Sequence, residues 1–584
     1  MHSKRNFLAG RPVFGVYGEH IRLQYIRKIW EEDVDHEKQW KEPFLSAPSF
    51  ALCDSTRRLG AFASSAPDLT ERGFLTPERV TALTSHGAGI SLLYGFERLD
   101  TTILQALQDL ATERRVVEQM KALFSGKPIN WIEGFESENR AVLHPALRDV
   151  FEERVSEDRP MKEQVERELQ KLRDFFTDCT DYTDLLFIGI GGSELGPHAL
   201  VEALSPYHLP GRAIHFAANV DPDELSEVLD TLSLNTTLVA IVSKSGTTLE
   251  TSTNEARVRA AFELAGLNPQ RHCIAVTMPN TPMDDKVRYR EVFYLFDSIG
   301  GRYSSTSVVG GVPICFIAGV NCFFELLDGA CEMDRLALRE DIYDNLPLLL
   351  ALISVWNRSF LDLPTTAVIP YSKALHRFPA HLQQCSMESN GKSIDRLGQR
   401  VRVSTASIVW GEPGTNAQHS FFQLLHQGTD VVPVEFIGFK QSQYEKDFVY
   451  KGTSSQEKLL ANMFAQAIAL ATGRDHDNPN KFFEGNRPSI LVLAKRLDPT
   501  TLGALLALYE HKIAFEGFIW GINSFDQEGV QLGKMLADSL LSAIRARKEG
   551  EEDVEAHPVG RRLLDMVDDI ARVRAVLPKS THEL

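Results

Sequence analysis

The stretch LLFIGIGGSELGPHALVEAL, residues 185–204, decides the fold class of this chain. Its apolar start is typical of a buried strand, and a Gly-rich turn then opens a helical pattern. The same order recurs over residues 238–266, LVAIVSKSGTTLETSTNEARVRAAFELAG. Strands that alternate with helices indicate βαβ units, so we predict an α/β fold built on parallel sheets.

Further strand and helix patterns extend this prediction along the chain. The run LPLLLALISVW, residues 346–356, is far shorter than the roughly 20 residues of a membrane span and predicts a buried helix. A second α/β region is expected to begin near residue 330. The remaining strand candidates are His272–Val276, Val292–Phe296, Thr366–Ile369 and Val401–Val409.

The two ends of the chain differ from its α/β body. The beginning is expected to be mainly helical, and residues 151–174 are expected to form a charged surface helix. The end of the chain has the charged pattern of a helical arm. We therefore expect an N-terminal region that packs on the large domain, two α/β domains and an arm, spanning 1–150, 151–330, 331–545 and 546–584.

The composition excludes several classes of protein. The 62 Lys and Arg against 79 Asp and Glu give a net charge of −17, which disfavours nucleic acid and anionic membranes as partners. The seven cysteines are scattered and include no Cys-x-x-Cys pair, so we expect reduced thiols in the cytoplasm and no zinc ribbon. The N-terminus lacks the apolar core of a secretory signal, although a short transit segment stays open.

The Gly-rich turn GIGGSELGP, residues 189–197, admits two interpretations. A dinucleotide-binding G-x-G-x-x-G turn would need glycine at Glu194, so a nucleotide-dependent oxidoreductase is disfavoured. The glycines allow the backbone to approach a ligand, with the Ser193 hydroxyl beside the start of a helix. Alternatively, they only allow strand and helix to pack closely. The turn alone does not decide between these interpretations.

The loop Ser243–Thr248 concentrates polar groups at the next strand-to-helix junction. It contains four hydroxyl groups, one glycine and Lys244 within six residues. Several short donors at the positive end of a helix suit a phosphate dianion. A capping box from Thr247 to Glu250 is the alternative, but one cap does not need four hydroxyls and a lysine. We therefore favour phosphate binding.

Two further segments carry charged candidates. Arg302 lies in the polar, Gly-rich stretch GGRYSSTS, where a structural arginine bound to loop carbonyls is the simpler interpretation. Glu388 precedes Asn390 and Gly391, a strong helix stop, and so lies in or next to the last helical turn. In that position it is a candidate base, although most single glutamates are exposed surface residues.

The last two segments contain histidines and a lysine. A helix capped near Thr415 is expected to carry His419, Gln423 and His426 on one polar face. No third ligand has matching spacing, so a metal site is disfavoured. Lys534 closes the segment FDQEGVQLGK and by itself is typical of an exposed helical lysine.

Taken together, six blocks resemble the glucose-6-phosphate isomerase (phosphoglucose isomerase) family, in the family's own order between residues 189 and 534. They cover the body of the chain and little of residues 1–150. The resemblance implies two sugar-isomerase (SIS)-type domains with parallel-sheet αβα sandwiches. It also implies reversible conversion of glucose 6-phosphate to fructose 6-phosphate through an enediol, in glycolysis and gluconeogenesis. The blocks are GIGGSELGP, SKSGTTLET, GGRYSSTS, QQCSMESNGK, GEPGTNAQHSFFQLLHQG and FDQEGVQLGK.

The resemblance assigns a role to each matched residue. Glu388 corresponds to the base that moves a proton between C2 and C1, and Arg302 lies near the sugar oxygens. His419 and Lys534 correspond to the pair that opens the ring. Family members are homodimers in which this histidine comes from the partner subunit, and no cofactor or metal is implied. The implied sugar-phosphate contacts are Gly192, Ser193, Ser243, Lys244, Ser245, Gly246, Thr247, Thr248, Gln384, Glu250 and Gln527.

The chain departs from the family pattern at two places. Gln531 stands where the family usually has an acidic residue, and Ser245-Gly246 is a smaller pair than many members carry. Neither departure removes a matched chemical group. Two related functions remain as alternatives. One is a sugar-phosphate sensor without catalytic activity, and the other is an isomerase that also accepts mannose 6-phosphate. The intact catalytic candidates argue against the sensor.

Overall fold

The N-terminal region combines helices with one β-hairpin. The computed structural model describes residues 40–151, 161–550 and 557–566, so the predictions made for the first 39 residues lie outside the described residues. The region is mainly helical, as predicted, and the hairpin was not predicted. Its elements are α1 (Asp54–Ala63), α2 (Pro77–Ala82), β1 (Thr84–Gly87), β2 (Ile90–Phe96), α3 (Thr101–Glu113) and α4 (Val116–Phe124).

The next part of the chain forms a five-stranded parallel sheet in the order β4-β3-β5-β6-β7. All four strands predicted here are confirmed, and the charged helix begins at Lys162 within its described part. Residues of β5 and β6 are buried throughout, as expected where helices cover both faces. The elements are α5 (Lys162–Asp178), β3 (Asp184–Ile188), α6 (Leu195–Ala203), β4 (Ala213–Ala217), α7 (Pro222–Thr231), β5 (Thr237–Val242), α8 (Leu249–Leu264), β6 (Cys273–Thr277) and β7 (Glu291–Tyr294).

Three apolar helices follow the first sheet: α9 (Val308–Ala318), α10 (Val320–Leu336) and α11 (Leu346–Val355). The buried helix predicted from LPLLLALISVW is confirmed as α11, which continues into a π-helical turn at Trp356–Phe360. Helix α10 crosses the domain boundary expected at residue 330.

The second sheet has six strands in the order β1-β2-β13-β10-β8-β9. Strands β13, β10, β8 and β9 are parallel, and the N-terminal hairpin adds two antiparallel strands through β2. The elements are β8 (Thr365–Pro370), α12 (Phe378–Gln383), β9 (Ile408–Trp410), α13 (Gly414–Gln418), α14 (Phe422–Gln427), β10 (Val434–Phe439), β11 (Val449–Tyr450), β12 (Thr453–Ser454), α15 (Ser455–Thr472), β13 (Ser489–Ala494) and α16 (Pro499–Trp520).

The strand predicted at Val401–Val409 is wrong for most of its length, because only its end belongs to β9. Residues before it form a loop whose carbonyl oxygens bind side chains instead of a neighbouring strand. Arg358 Nε donates to the carbonyls of Thr405 and Ala406, at 2.8 and 3.2 Å. The alternation of apolar residues therefore did not produce a strand here, because a side chain from another segment makes the hydrogen bonds to these backbone carbonyls.

The single helix expected to carry His419, Gln423 and His426 is also wrong. Helix α13 ends at Gln418 and α14 begins at Phe422, so His419 lies in the turn between them. The break lets both short helices pack apolar side chains into the core of the second sheet. The side chains they bury are Ala417, Phe422 and Leu425.

The last helices among the described residues are α17 (Gln531–Glu549) and α18 (Pro558–Asp565), which confirms a helical arm as far as it is described. Helix α17 also crosses the boundary expected at residue 545. Among the described residues, no helix is both long and apolar enough to cross a bilayer.

One large apolar core joins the α/β parts to the N-terminal helices. Helix α16 is buried along nearly its whole length and packs against α10 and α11. Because α16 has apolar residues on all faces, it is a central helix and not a surface helix. This core fixes the loops at the carboxyl ends of both sheets, where the polar candidates lie.

Candidate active site

Two loops meet at the carboxyl edge of the first sheet. The chain leaves β3 for β4 on one side and later returns to β5 on the other, so the edge between β3 and β5 is a topological switch point. Ligands of open parallel sheets bind in the crevice at such points. The turn Gly191–Ser193 follows β3, and the loop Ser243–Thr248 follows β5.

The hydroxyl groups of the second loop bind one another. Ser243 Oγ lies 2.9 Å from Thr248 Oγ1, and Ser245 Oγ lies 2.9 Å from Thr247 Oγ1. Helix α8 begins at Leu249 with Thr248 as its N-cap, so Thr247 precedes the cap and Glu250 is the second helical residue. The capping box predicted from Thr247 to Glu250 as the alternative is therefore wrong. The hydroxyls thus form two pairs in one loop at a helix start, a position that favours anions.

Gly246 is required by the shape of this loop. Its φ of +68° lies in the left-handed region, and a Cβ there would come 3.0 Å from Thr281 Oγ1. A side chain at this position would strain the backbone and push the loop away from its neighbour.

Lys244 ties this loop to the segment that leads to Arg302. Its Nζ donates to the carbonyl oxygens of Asp297 and Ile299, at 2.7 and 3.0 Å. Burial, together with the nearby charge of Arg140, lowers the pKa of Lys244 to about 8. Lys244 thus places a positive charge beside the loop and also links the loop by hydrogen bonds to the segment before Arg302.

The Gly-rich turn packs directly on the segment containing Arg302. A Cβ on Gly192 would lie 2.2 Å from the carbonyl carbon of Gly301, so only glycine permits this contact. Close packing is therefore one function of the turn. The half-buried Ser193 completes the turn beside the start of α6.

Arg302 is buried, and three fixed oxygens hold its guanidinium group. Nε donates to Ser389 Oγ at 2.7 Å, while Nη2 donates to the carbonyls of Ser524 and Asp526 at 2.7 and 2.9 Å. The remaining nitrogen, Nη1, lies 3.3 Å from Glu388 Oε2. The arginine binds carbonyls, as the simpler interpretation predicted, and it also presents one charged nitrogen to the candidate base.

Glu388 ends a π-helical turn, Gln384–Glu388, that extends α12. The helix continues to Asn390 and stops before Gly391, in agreement with the predicted stop. The Glu388 side chain is 20% exposed and paired with Arg302, so the exposed-surface interpretation is wrong. A π-turn is a frequent feature of functional sites, and this one places its two ends at the same cavity.

The cavity beside Glu388 has a volume of about 470 Å³. Gln384 and Gln527, both site candidates, line it together with Lys392. Gln384 Oε1 is buried with no hydrogen-bond partner among the described residues. Such an acceptor costs free energy unless a ligand or water supplies a donor, which makes the cavity a candidate binding site. Glu250, also a candidate, is half-buried in the first turn of α8.

Two residues that hold the site together were not predicted: Ser389, which binds Arg302, and Lys392, which binds Asp526 next to Gln527. Ser389 bonds Arg302, and Tyr303 Oη lies 2.8 Å from the same Ser389 hydroxyl. Lys392 pairs with the Asp526 carboxylate and also donates to its carbonyl at 3.2 Å. Ser389 and Lys392 lie in the block QQCSMESNGK, but no local pattern distinguishes a serine or lysine that binds a distant segment.

His419 and Lys534 lie apart from these groups within one chain. Both are exposed, and neither lines the cavity beside Glu388. His419 lies in the turn between α13 and α14, and Lys534 lies in the first turn of α17. The site built by a single chain thus contains Glu388 and Arg302 but not the other two catalytic candidates.

A metal centre finds no support in the described part of the chain. No three His, Cys, Asp or Glu side chains there come close enough to hold one ion. His426, a possible ligand in the sequence, has its Nε2 2.7 Å from Gln466 Oε1.

Comparison with known proteins gives consistent matches over most of the chain. The family model described as phosphoglucose isomerase matches residues 94–557. A glucose-6-phosphate isomerase from Protochlamydia amoebophila is 50% identical over 530 residues, which cover 90% of this chain and 98% of that protein. One from Chlamydia pneumoniae is 53% identical over 500 residues, 85% of this chain and 95% of that protein.

A solved structure agrees with these matches. The crystal structure of a glucose-6-phosphate isomerase from Chlamydia trachomatis superposes with a TM-score of 0.85 at 48% identity. The match covers 89% of this chain and 99% of that one. The two α/β parts and their arrangement are thus shared with a protein of known activity.

Proposed function

The chain belongs to the phosphoglucose isomerase family, and we propose from this premise that it interconverts glucose 6-phosphate and fructose 6-phosphate. The observation that carries the proposal is the pair of Glu388 and Arg302, 3.3 Å apart at the wall of a cavity. The interconversion of an aldose and a ketose requires a base to move the proton and a fixed cation to stabilise the negative charge that develops on oxygen.

Glu388 acts as the base on carbon. It removes the proton from C2 of the aldose and returns it to C1, so one carboxylate serves both carbons through a cis-enediol intermediate. The π-turn and the helix stop after Asn390 hold this carboxylate at the cavity. General base catalysis of this kind contributes typically 10²–10⁴-fold to the rate.

Arg302 stabilises the negative charge that develops on the sugar oxygens. Its guanidinium group is held by Ser389 and by two backbone carbonyls, so it does not have to reorganise during the reaction. Ser389 follows the base directly in the chain. The same helical turn thus sets the position of both the base and the cation.

The phosphate group binds at the switch point of the first sheet. The donors are the hydroxyls of Ser243, Ser245, Thr247 and Thr248, with Lys244 as the cation and Gly192, Ser193 and Gly246 giving close backbone approach. Gln384, Gln527 and Glu250 complete the contacts to the sugar phosphate. The observed closeness of the four hydroxyls supports this assignment.

The complete site is proposed to form in a homodimer, with His419 of one chain beside Glu388 of the other. The exposure of His419 and Lys534 supports this, because a ring-opening pair must reach the substrate. The apolar side chains of α17 supply a surface for a second copy. Leu532 is 64% exposed, and Met535 is 62% exposed. Contiguous exposed apolar side chains are typical of an interface.

The domain division and the location of the protein are also proposals. Each sheet forms the centre of one SIS-type domain, and the N-terminal region packs on the larger of them. The cytoplasm is the proposed location, supported by seven cysteines that are all buried and free of disulfides.

The decisive experiment is a coupled assay in which fructose 6-phosphate is added and glucose 6-phosphate is detected by a dehydrogenase. We expect rapid turnover with no metal or cofactor beyond the nicotinamide nucleotide that the coupling dehydrogenase uses. Binding of fructose 6-phosphate without turnover would instead support the sugar-phosphate sensor. Exchange at C2 with mannose 6-phosphate tests whether a second hexose phosphate is accepted.

A further inference from the structure

The second sheet has a topological switch point of its own. Strand β8 is followed in the chain by β9 on one side of it, and the chain then returns to β10 on the other side. Strands β8 and β10 are parallel neighbours, so their following loops leave in opposite directions. In the first sheet the corresponding crevice, between β3 and β5, carries the proposed phosphate loops. The same rule predicts a ligand crevice beyond β8 and β10.

A cavity lies at this position. Its volume is about 510 Å³, within the roughly 300–1,000 Å³ that small-molecule sites occupy. The segments directly after β8 and β10 form most of its wall, and none of its lining residues lines the cavity beside Glu388. The lining residues that matter here are Tyr371, Ser372, Lys373, Gln441, Ser442 and Tyr444.

The chemistry of the wall resembles that of the first crevice. Ser372 and Lys373 come shortly after β8, as Ser243 and Lys244 come directly after β5. Lys373 is exposed and has no anionic partner within the described ranges. His376, by contrast, lies 2.6 Å from Glu202, a carboxylate that also lines the crevice and lies 3.1 Å from His198 on its other oxygen. Lys373 is thus the cation of this wall that is available to a ligand.

The remaining wall suits the carbon face and hydroxyls of a sugar. Tyr444 is exposed and presents an aromatic ring, whereas the Tyr371 ring is buried and packs against Gly414. Gln441 and Ser442 supply polar groups to the wall. Gln443 fixes the segment after β10, since its Nε2 donates to the carbonyls of Ala203 and Leu497 at 2.7 and 2.9 Å. A mostly apolar wall with a few placed polar groups is the usual composition of a small-molecule site.

We propose that this crevice is a second binding site for a small phosphorylated sugar, with Lys373 facing the phosphate group. The site is separate from the proposed active site and does not depend on its chemistry. Each chain would therefore bind two phosphorylated sugars, one at each switch point.

The test uses sorbitol 6-phosphate, which has no carbonyl group and cannot be isomerised. Isothermal titration calorimetry of the full chain is expected to give two bound molecules per chain. The variant Ser245→Ala with Thr248→Ala weakens the first site, and one molecule per chain should remain. Adding Lys373→Ala should weaken this remaining site about tenfold or more, as expected for the loss of a charged contact.

Two control variants test whether the effects are specific to this crevice. Lys481→Ala removes an exposed lysine elsewhere in the second domain and should leave both sites intact. Ser372→Trp fills the crevice without removing a charge and should abolish the second site in a protein with unchanged thermal unfolding.

Three results would overturn the proposal. One is a single bound molecule per wild-type chain that disappears in Ser245→Ala with Thr248→Ala. Another is equal affinity of the second site for inorganic phosphate, which would exclude a sugar-binding wall. A change of oligomeric state in Ser372→Trp, measured by analytical ultracentrifugation, would show that a second copy of the chain covers the crevice instead.

Discussion

The surroundings of Arg302 and of His419 differ in almost every respect. Arg302 is buried, held by three fixed oxygens and 3.3 Å from Glu388, whereas His419 is exposed in a turn between two short helices. Proton transfer at carbon needs a base and a cation at fixed separation, and a single folded chain brings these two candidates together. His419 and Lys534, the residues proposed to open the ring, do not line the cavity beside Glu388, which is why we propose that a second chain completes the site.

The largest expected effect is at Glu388. Glu388→Gln keeps the shape and removes the base, so kcat should fall by about 10²–10⁴-fold. Binding of the sugar phosphate should persist, because the phosphate loop is formed by other residues. Exchange of the C2 hydrogen in D₂O, followed by NMR, should vanish in this variant. Exchange at near wild-type rate would show that the base lies elsewhere.

The second prediction concerns His419, the exposed residue of this comparison. His419→Ala alone should lower ring opening strongly, by about 10²-fold or more, while an open-chain substrate is affected less. Mixing inactive His419→Ala with inactive Glu388→Gln chains should restore part of the activity, since a mixed dimer contains one intact site. Verified heterodimers without recovered activity would place His419 in the site of its own chain.

The phosphate loop should affect binding more than chemistry. Ser245→Ala with Thr248→Ala removes two donors to a charged group, each worth about 1.5–3 kcal/mol, so KM should rise about tenfold or more. The value of kcat should change less, because Glu388 and Arg302 remain in place. An unchanged KM in a folded double variant would contradict the phosphate assignment.

Ser389 tests whether the position of Arg302 matters. Ser389→Ala removes the acceptor for Arg302 Nε, and we expect kcat to fall about tenfold with little change in KM. Ser386→Ala is the matched control, since Ser386 is buried in the π-turn directly before Ser389 and makes no hydrogen bond to Arg302 among the described contacts. Recovery in Ser389→Thr, which keeps the hydroxyl, would support positioning. Equal losses in the Ser389 and Ser386 variants would indicate a structural effect only.

The smallest effect on activity is expected at a carboxylate remote from the site. Glu97 is buried, and burial raises its pKa to about 8 although Asn357 donates to it at 3.0 Å. The folded protein thus retains a proton that the unfolded chain releases above about 4.5, so the free energy of unfolding falls as the pH rises from about 4.5 to about 8.

Glu97→Gln should remove this dependence. The gain in the free energy of unfolding should be larger at pH 8 than at pH 5, by up to about 1.4 kcal/mol for each pH unit between them. The value of kcat should not change. Urea unfolding at the two pH values measures the gain, and a parallel pH dependence in wild type and variant would contradict the raised pKa.

Several features followed from local patterns alone. The strands β3, β5, β6, β7 and β8, the buried helix α11 and the stop after Glu388 were all predictable, because periodicity, glycine and helix signals act over a few residues. Two other features could not be predicted from local patterns. Hydrogen bonds from Arg358 hold the loop that begins near Val401, and the burial of Phe422 accompanies the helix break at His419.

Residues adjacent in the chain were enough to predict the α/β class and to identify the proposed phosphate loop and the candidate base. The contacts of Arg302 with Ser389 and Asp526, and the extension of the second sheet by the N-terminal hairpin through β13, became visible only in the folded chain. The same holds for the second crevice beyond β8 and β10. The physical reason is that these contacts join segments far apart in the chain, where packing and burial, and not local propensity, select the partners.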